Sequence, residues 1–212
     1  MIVHYILYIA TEPGLLKAHS KIRLLVGFLI FKRVWYYKIM DDKSFAGNAN
    51  EATDFLGNKW RFNCLGCAIT NGDIEVPSGI IHQGKTTVLA TDPLIPIPGF
   101  LVVTLKRHAR SLSELERHER HESIDVIYLA EKALRSLGIS EVTLVQEERS
   151  SHLHFWIFPT YDWMVEKYGK GITHLRDISA YAQKTSTEDN KQKVLQVVKD
   201  VRKYFDKHMT NH

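Results

Sequence analysis

The stretch His152-Leu153-His154-Phe155-Trp156-Ile157-Phe158-Pro159 constrains the fold of this chain more than any other. It is rich in aromatic and branched apolar residues, has no helix breaker before its final Pro, and reads as a strand. Side chains on a strand alternate between faces. Leu153, Phe155 and Ile157 therefore enter a core, while His152, His154 and Trp156 line the opposite face. At roughly 3.3 Å per residue the two imidazoles stand about 7 Å apart. Imidazole serves as nucleophile, base, acid or metal ligand at neutral pH without a large pKa shift. The chain has 11 His. Scattered ones such as His4, His19, His118, His121, His174, His208 and His212 read as solvated or satisfied side chains. A pair at i and i+2 on an apolar strand is costly to bury without a task.

Upstream of that strand lies a β-rich half. Gly79 to Gln83, Thr86 to Thr91 and Phe100 to Leu105 read as strands. Gly84-Lys85 marks a tight hairpin, and Asp92-Pro93 to Pro98-Gly99 a longer loop. Ser111-Leu112-Ser113-Glu114 carries a capping box, predicting a helix that runs through Ile124, Ile127, Leu134 and Leu137 to Gly138. Its run Glu116 to Glu122 reads as a solvated face. Val142 to Val145 is the next strand. Residues 173–183 and 188–207 read as helices. Val194, Val197, Val198, Val201 and Phe205 form one stripe of the second, which covers the domain or meets a second copy. Together these elements predict an α+β domain, an antiparallel sheet with helices to one side.

The 212 residues, 44% hydrophobic and 25% charged, suit one globular domain with appendages. The formal net charge is +4, but residues 1–39 hold six Lys/Arg against one Glu, leaving the remainder near −1. No basic stripe marks the His-bearing half, which argues against a nucleic-acid partner. Within residues 1–39 the apolar run Leu24–Phe31 is flanked by Lys21, Arg23, Lys32 and Arg33. It is too short to span a bilayer, which takes about 20 residues, and it lacks a signal-peptide cleavage pattern. Two readings stay open: a helix on a membrane surface, or translation that starts at Met40. Residues 40–59 form a polar lead-in with a helical turn near Glu51 to Leu56. Residues 60–162 form the core domain, and residues 163–212 a C-terminal helical extension. The two Cys sit as Cys64-Leu65-Gly66-Cys67, too few for a disulfide framework, which points to a reducing compartment such as the cytoplasm.

The order of these parts resembles the histidine-triad superfamily of nucleotide hydrolases and transferases. The segment Thr87 to Pro93, the turn Pro98-Gly99, the strand Phe100 to His108, and the later His-x-His strand with Phe158-Pro159 carry the resemblance. It covers about residues 60–162, with a resemblance to bacterial diadenosine tetraphosphate hydrolase-like proteins. Two positions depart from the pattern: Trp156 stands where the third His belongs, and Phe100 where many members have a His after the Gly.

The resemblance implies a five-stranded antiparallel sheet that pairs into a dimer. It also implies substitution at the α-phosphate of a nucleotide, with His154 as nucleophile and His152 orienting the site. It implies a structural zinc on Cys64, Cys67, His108 and His152, a tetrahedral thiolate and imidazole set that zinc prefers. Two reduced Cys packed as small hydrophobes remain the alternative. Asp92 is expected to accept from ribose hydroxyls, or else to cap its turn. Gln146, Ser150 and Ser151 are expected to reach phosphate oxygens, unless they form an ordinary polar loop. Trp156 completes the expected substrate contacts; indole donates one hydrogen bond but transfers no proton at neutral pH. Three activities follow: a hydrolase of dinucleoside polyphosphates or nucleotide conjugates, a nucleotidyltransferase or phosphorylase, or a non-catalytic nucleotide-binding protein.

Overall fold

The computed structural model describes residues 50–148 and 150–209; the two readings of residues 1–39 lie outside them. Strands β1 (Asn50–Thr53) and β2 (Lys59–Phe62) form a hairpin of their own, followed by helix α1 (Leu65–Asn71). The second sheet contains β3 (His82–Gln83), β4 (Thr87–Thr91), β5 (Leu101–Leu105), β6 (Val142–Gln146) and β7 (His154–Pro159). Its order is β3-β4-β5-β7-β6, with every neighbouring pair antiparallel. Helix α2 (Arg117–Ser136) is inserted between β5 and β6. Three helices close the chain: α3 (Asp162–Tyr168), α4 (Leu175–Thr185) and α5 (Glu188–Met209).

Strand alternation divides the sheet into two faces. On one, Leu89, Leu101, Val103, Phe155 and Ile157 pack against Val126, Ile127, Ala130, Ala133 and Leu134 of α2. Helix α5 joins this layer through Val198, Val201 and Phe205, so its apolar stripe covers the domain's own core. Each Val, Leu, Ile or Phe side chain fully buried this way contributes roughly 1.5–3 kcal/mol. On the other face, Phe100 and Phe158 pack with Met164, Leu175, Ile178 and Ala182 of α3 and α4, and Val102, Val145 and Trp156 border that cluster. The chain therefore has the expected α+β sheet with helices, and its C-terminal helices cover parts of both faces.

Four local expectations are corrected. Glu51–Thr53 is strand, because it pairs with Lys59–Arg61, and Asp54 closes the turn by accepting from the Leu56 and Asn58 amides at 2.9 and 2.8 Å. The first strand of the meander shrinks to His82–Gln83. The helix after Ser111 breaks: its capping box is present, but it caps a short 3-10 turn, Leu112–Glu114. Leu115 is extended and buried beside Leu105, Ala109 and Leu153, and α2 restarts with a second capping box at Glu116 and Glu119. Finally, two Glu of the expected solvated face are structural. Glu119 is buried and paired with Arg107 at 2.6 Å, and Glu122 accepts from the amides and hydroxyls of Thr86 and Thr87.

Candidate active site and metal centre

Four side chains from three separate segments converge at one end of the sheet. Cys64 caps the start of α1 and Cys67 lies in its first turn; His108 follows β5; His152 precedes β7. Their ligand atoms all lie within 4.8 Å of one another. His152 Nδ1 is 3.3 Å from Cys64 Sγ and 3.4 Å from Cys67 Sγ; His108 Nδ1 is 3.6 and 3.3 Å from the same two sulfurs. Zinc held tetrahedrally at about 2.3 Å from sulfur and about 2.0 Å from nitrogen keeps unlike donors roughly 3.5 Å apart. The spacing fits. So does the outer contact: His152 Nε2 donates to the Leu105 carbonyl at 2.7 Å, which leaves Nδ1 as the lone-pair nitrogen facing the sulfurs.

The two thiols differ electrostatically. Burial pushes Cys64 up, but its bonds to His152 and to the Cys67 amide outweigh this and hold it down to about 6. Burial and the neighbouring Cys64 push Cys67 up to about 11. The pair by itself favours one thiolate; a divalent cation stabilises both. Gly66 makes the convergence feasible. A Cβ there would lie 2.5 Å from His152 Cγ and 2.8 Å from Nδ1. The Gly between the two Cys was the sequence signal for this close approach.

His152 thus stands just before the strand, turned into the metal cluster, and does not share an open face with His154. His154 opens β7. Its Nδ1 lies 2.9 Å from the His152 carbonyl oxygen and 3.2 Å from Ser150 Oγ. With Nδ1–H donating to that carbonyl, Nε2 keeps a free lone pair. Burial lowers the affinity of His154 for a proton, and the bond to His152 opposes this without overcoming it. The result is a neutral, oriented imidazole. Ser150 braces the same turn: its Oγ accepts from the His152 amide at 3.1 Å and donates to the His152 carbonyl.

Trp156 lies on the face of His154, with ring centroids 6.0 Å apart, and meets Phe100 edge-on at 5.2 Å. Ser151 is half-buried in the turn before His152. Two other predicted residues are not brought to His154. Gln146 pairs with Phe155, which puts it on the helix-covered face opposite His154, and its Nε2 is buried without a hydrogen-bond partner. Asp92 lies four residues along β4 from Val88, which is in line with Thr104 and His154. That is roughly 13 Å along the strand direction. Its Oδ1 accepts from the Leu94 and Ile95 amides at 2.8 and 2.9 Å, so its observed work is capping the loop.

A pair not foreseen from sequence lies at the same edge. Glu147 follows Gln146, one step past the last β6–β7 pair, which sets it across from His154. Arg176 of α4 reaches it, with Nη2 2.7 and 2.5 Å from the two carboxylate oxygens. Neither residue belongs to a recognisable motif, and they are 29 positions apart.

No family model matches the chain, and no curated protein matches it either. Solved structures do. A zinc-bound histidine triad family protein from Mycobacterium smegmatis superposes with a TM-score of 0.50 at 15% identity, over 70% of this chain and 97% of that one. A hypothetical histidine triad nucleotide-binding protein from Sulfolobus tokodaii gives 0.51 at 15% identity, over 70% and 98%. At these identities the likeness establishes the fold: this chain has the fold of the histidine-triad proteins.

Proposed function

We propose, for a chain with the histidine-triad fold, that it is an enzyme acting on nucleotides at the α-phosphate, with His154 as nucleophile. The observation that carries this reading is the 2.9 Å contact from His154 Nδ1 to the His152 carbonyl. It selects the tautomer whose Nε2 lone pair is free for attack. In the first step Nε2 bonds to phosphorus, the bond to the leaving oxygen breaks, and that oxygen takes the electron pair. Water or another acceptor then releases the nucleotide from His154. Ser151 is the candidate for a polar contact to the phosphoryl oxygens, since the Ser150 hydroxyl proton is already given to the His152 carbonyl. Zinc on Cys64, Cys67, His108 and His152 would cross-link the fold beneath the nucleophile and take no part in the substitution.

Trp156 shapes the substrate class. General-acid assistance is typically worth about 10²–10⁴-fold, and indole cannot supply it. Leaving groups that depart as anions, such as the polyphosphates of dinucleoside polyphosphates, suit this site better than amines. The test compares wild type with His154→Ala on diadenosine tetraphosphate, with and without inorganic phosphate, and seeks an adenylyl adduct by intact mass. Turnover and adduct in wild type only would support the reading; phosphate dependence would choose phosphorylase over hydrolase. Nucleotide binding with neither turnover nor adduct would make the protein a non-catalytic binder.

A further inference from the structure

We propose that Arg176, carried by the C-terminal helix α4, is the cation that takes the substrate's polyphosphate beside His154, and that Glu147 holds it in place between turnovers. This rests on the α-phosphate reading above. Glu147 is the residue across from His154, beyond the last pair of β6 and β7. A bare carboxylate at that position would repel an incoming phosphate. Arg176 cancels it, with both oxygens engaged by Nη2.

The ion pair has little stabilising purpose of its own. Its side chains are 38% and 42% exposed, and pairs in such positions contribute little to stability. Among the described residues, its bonds to Glu147 use only Nη2, while a guanidinium presents five donors in a planar fork that matches phosphate oxygens. Arg176 sits near the start of α4, whose Leu175 and Ile178 are buried against Phe100 and Phe158, so the cation has an anchored base. Trp156 on the same face adds a hydrogen-bond donor at most and no charge. Among the described residues, Arg176 brings its positive charge to this edge from outside the sheet. When the phosphoryl bond to His154 Nε2 forms and the α–β bridging bond breaks, the electron pair stays on the departing polyphosphate oxygen. Arg176 donates hydrogen bonds to that anion and keeps its own protons.

The experiment uses the full chain with Arg176→Ala, Arg176→Lys and Glu147→Gln, each checked for an unchanged melt. Binding of α,β-methylene ATP and of adenosine is measured by calorimetry, and turnover on diadenosine tetraphosphate and adenosine phosphoramidate is measured alongside. Arg176→Ala is expected to weaken the ATP analogue about tenfold, as befits one charge-assisted contact, and to leave adenosine within about threefold. It is expected to lower kcat/KM on the tetraphosphate about 10²-fold and to spare the phosphoramidate. Arg176→Lys should fall between, and Glu147→Gln should tighten the ATP analogue by freeing the cation. Equal losses for the analogue and adenosine, an Arg176→Ala variant that matches wild type, or a Glu147→Gln variant as weak as Arg176→Ala would each overturn the assignment. If wild type binds with this discrimination but turns nothing over, the catalytic reading falls and Arg176 stands as the phosphate contact. If wild type turns over and the discrimination is absent, only the role of Arg176 falls.

Discussion

Gly66 lies against the ring of His152, so that a single methyl group on it would stand 2.5 Å from the imidazole Cγ. Gly66 is inside helix α1, where replacement of Gly by Ala ordinarily stabilises by about 1 kcal/mol. Here the backbone of α1 and the His152 ring would have to separate, and the four metal donors with them. Gly66→Ala is therefore expected to lower both zinc content and Tm, against the trend of helix propensity. Elemental analysis and a thermal melt measure both, and a variant that keeps one zinc per chain with an unchanged Tm would refute the close-packing argument.

Metal removal should act on stability. The cluster ties the start of α1, the end of β5 and the approach to β7 into one cross-link. At free zinc about 1,000-fold above its dissociation constant, binding adds about 4 kcal/mol. Chelation, or Cys64→Ser, should lower Tm markedly, while the chelated protein should recover on adding zinc and the variant should not. Wild type purified without added metal and found to contain no zinc, and unable to take up one equivalent, would leave the two Cys as packing residues.

Asp92 gives a pH dependence whose sign is fixed by burial. Burial raises its carboxyl to about 6 from an ordinary 3.8, against two backbone hydrogen bonds that pull the other way. A group raised in the folded state contributes fully below its unfolded pKa and loses that contribution as pH rises through its folded pKa. Asp92 therefore costs stability progressively between about pH 4 and pH 6, by up to about 3 kcal/mol. Asp92→Asn keeps an oxygen for the Leu94 and Ile95 amides and never ionises. Denaturant melts at pH 4 and pH 7 should show the variant gaining on wild type as pH rises; a constant difference would refute the burial argument.

Glu122 works in the opposite direction. Burial raises its pKa, but the amides and hydroxyls of Thr86 and Thr87 outweigh this and lower it. It fastens α2 to the β3–β4 hairpin. Glu122→Ala leaves several donors without their acceptor and should cost about 1–3 kcal/mol, read from the denaturation midpoint at pH 7. The wild-type advantage should shrink as pH falls through the lowered carboxyl range, and an advantage that persists undiminished in acid would contradict this role.

The alternation of apolar and polar residues made the sheet legible, because Leu153, Phe155 and Ile157 can have only one destination. The metal donors were legible through the resemblance, which joins the Cys-x-x-Cys to His108 and His152 as one zinc set. Glu119 and Glu122 were not: a charged run at helical spacing looks the same whether it faces water or meets Arg107 and the Thr86–Thr87 hairpin. Asp92 takes the second of its two legible readings and caps its turn, but Gln146 was not resolvable as a back-face residue, since strand register, which no local pattern encodes, decides what it reaches. Leu115 broke an otherwise regular helix because a pocket beside Leu105, Ala109 and Leu153 takes its side chain.

Trp156→His supplies the last prediction. Trp156 shares the face of His154 at 6.0 Å between rings, so an imidazole at this position could deliver a proton to a departing group. A proton matters for an amine, which leaves poorly as an anion, and little for a polyphosphate. The variant should therefore raise turnover of adenosine phosphoramidate, with an upper bound of about 10²–10⁴-fold, and change diadenosine tetraphosphate turnover far less. It should also lose the edge-on contact with Phe100 and melt at a lower temperature. Trp156→Phe separates the two effects: it keeps most of the packing, carries no proton, and should leave the ratio of the two substrates unchanged. Equal gains on both substrates in Trp156→His would mean that the indole obstructs the site rather than leaving it without an acid.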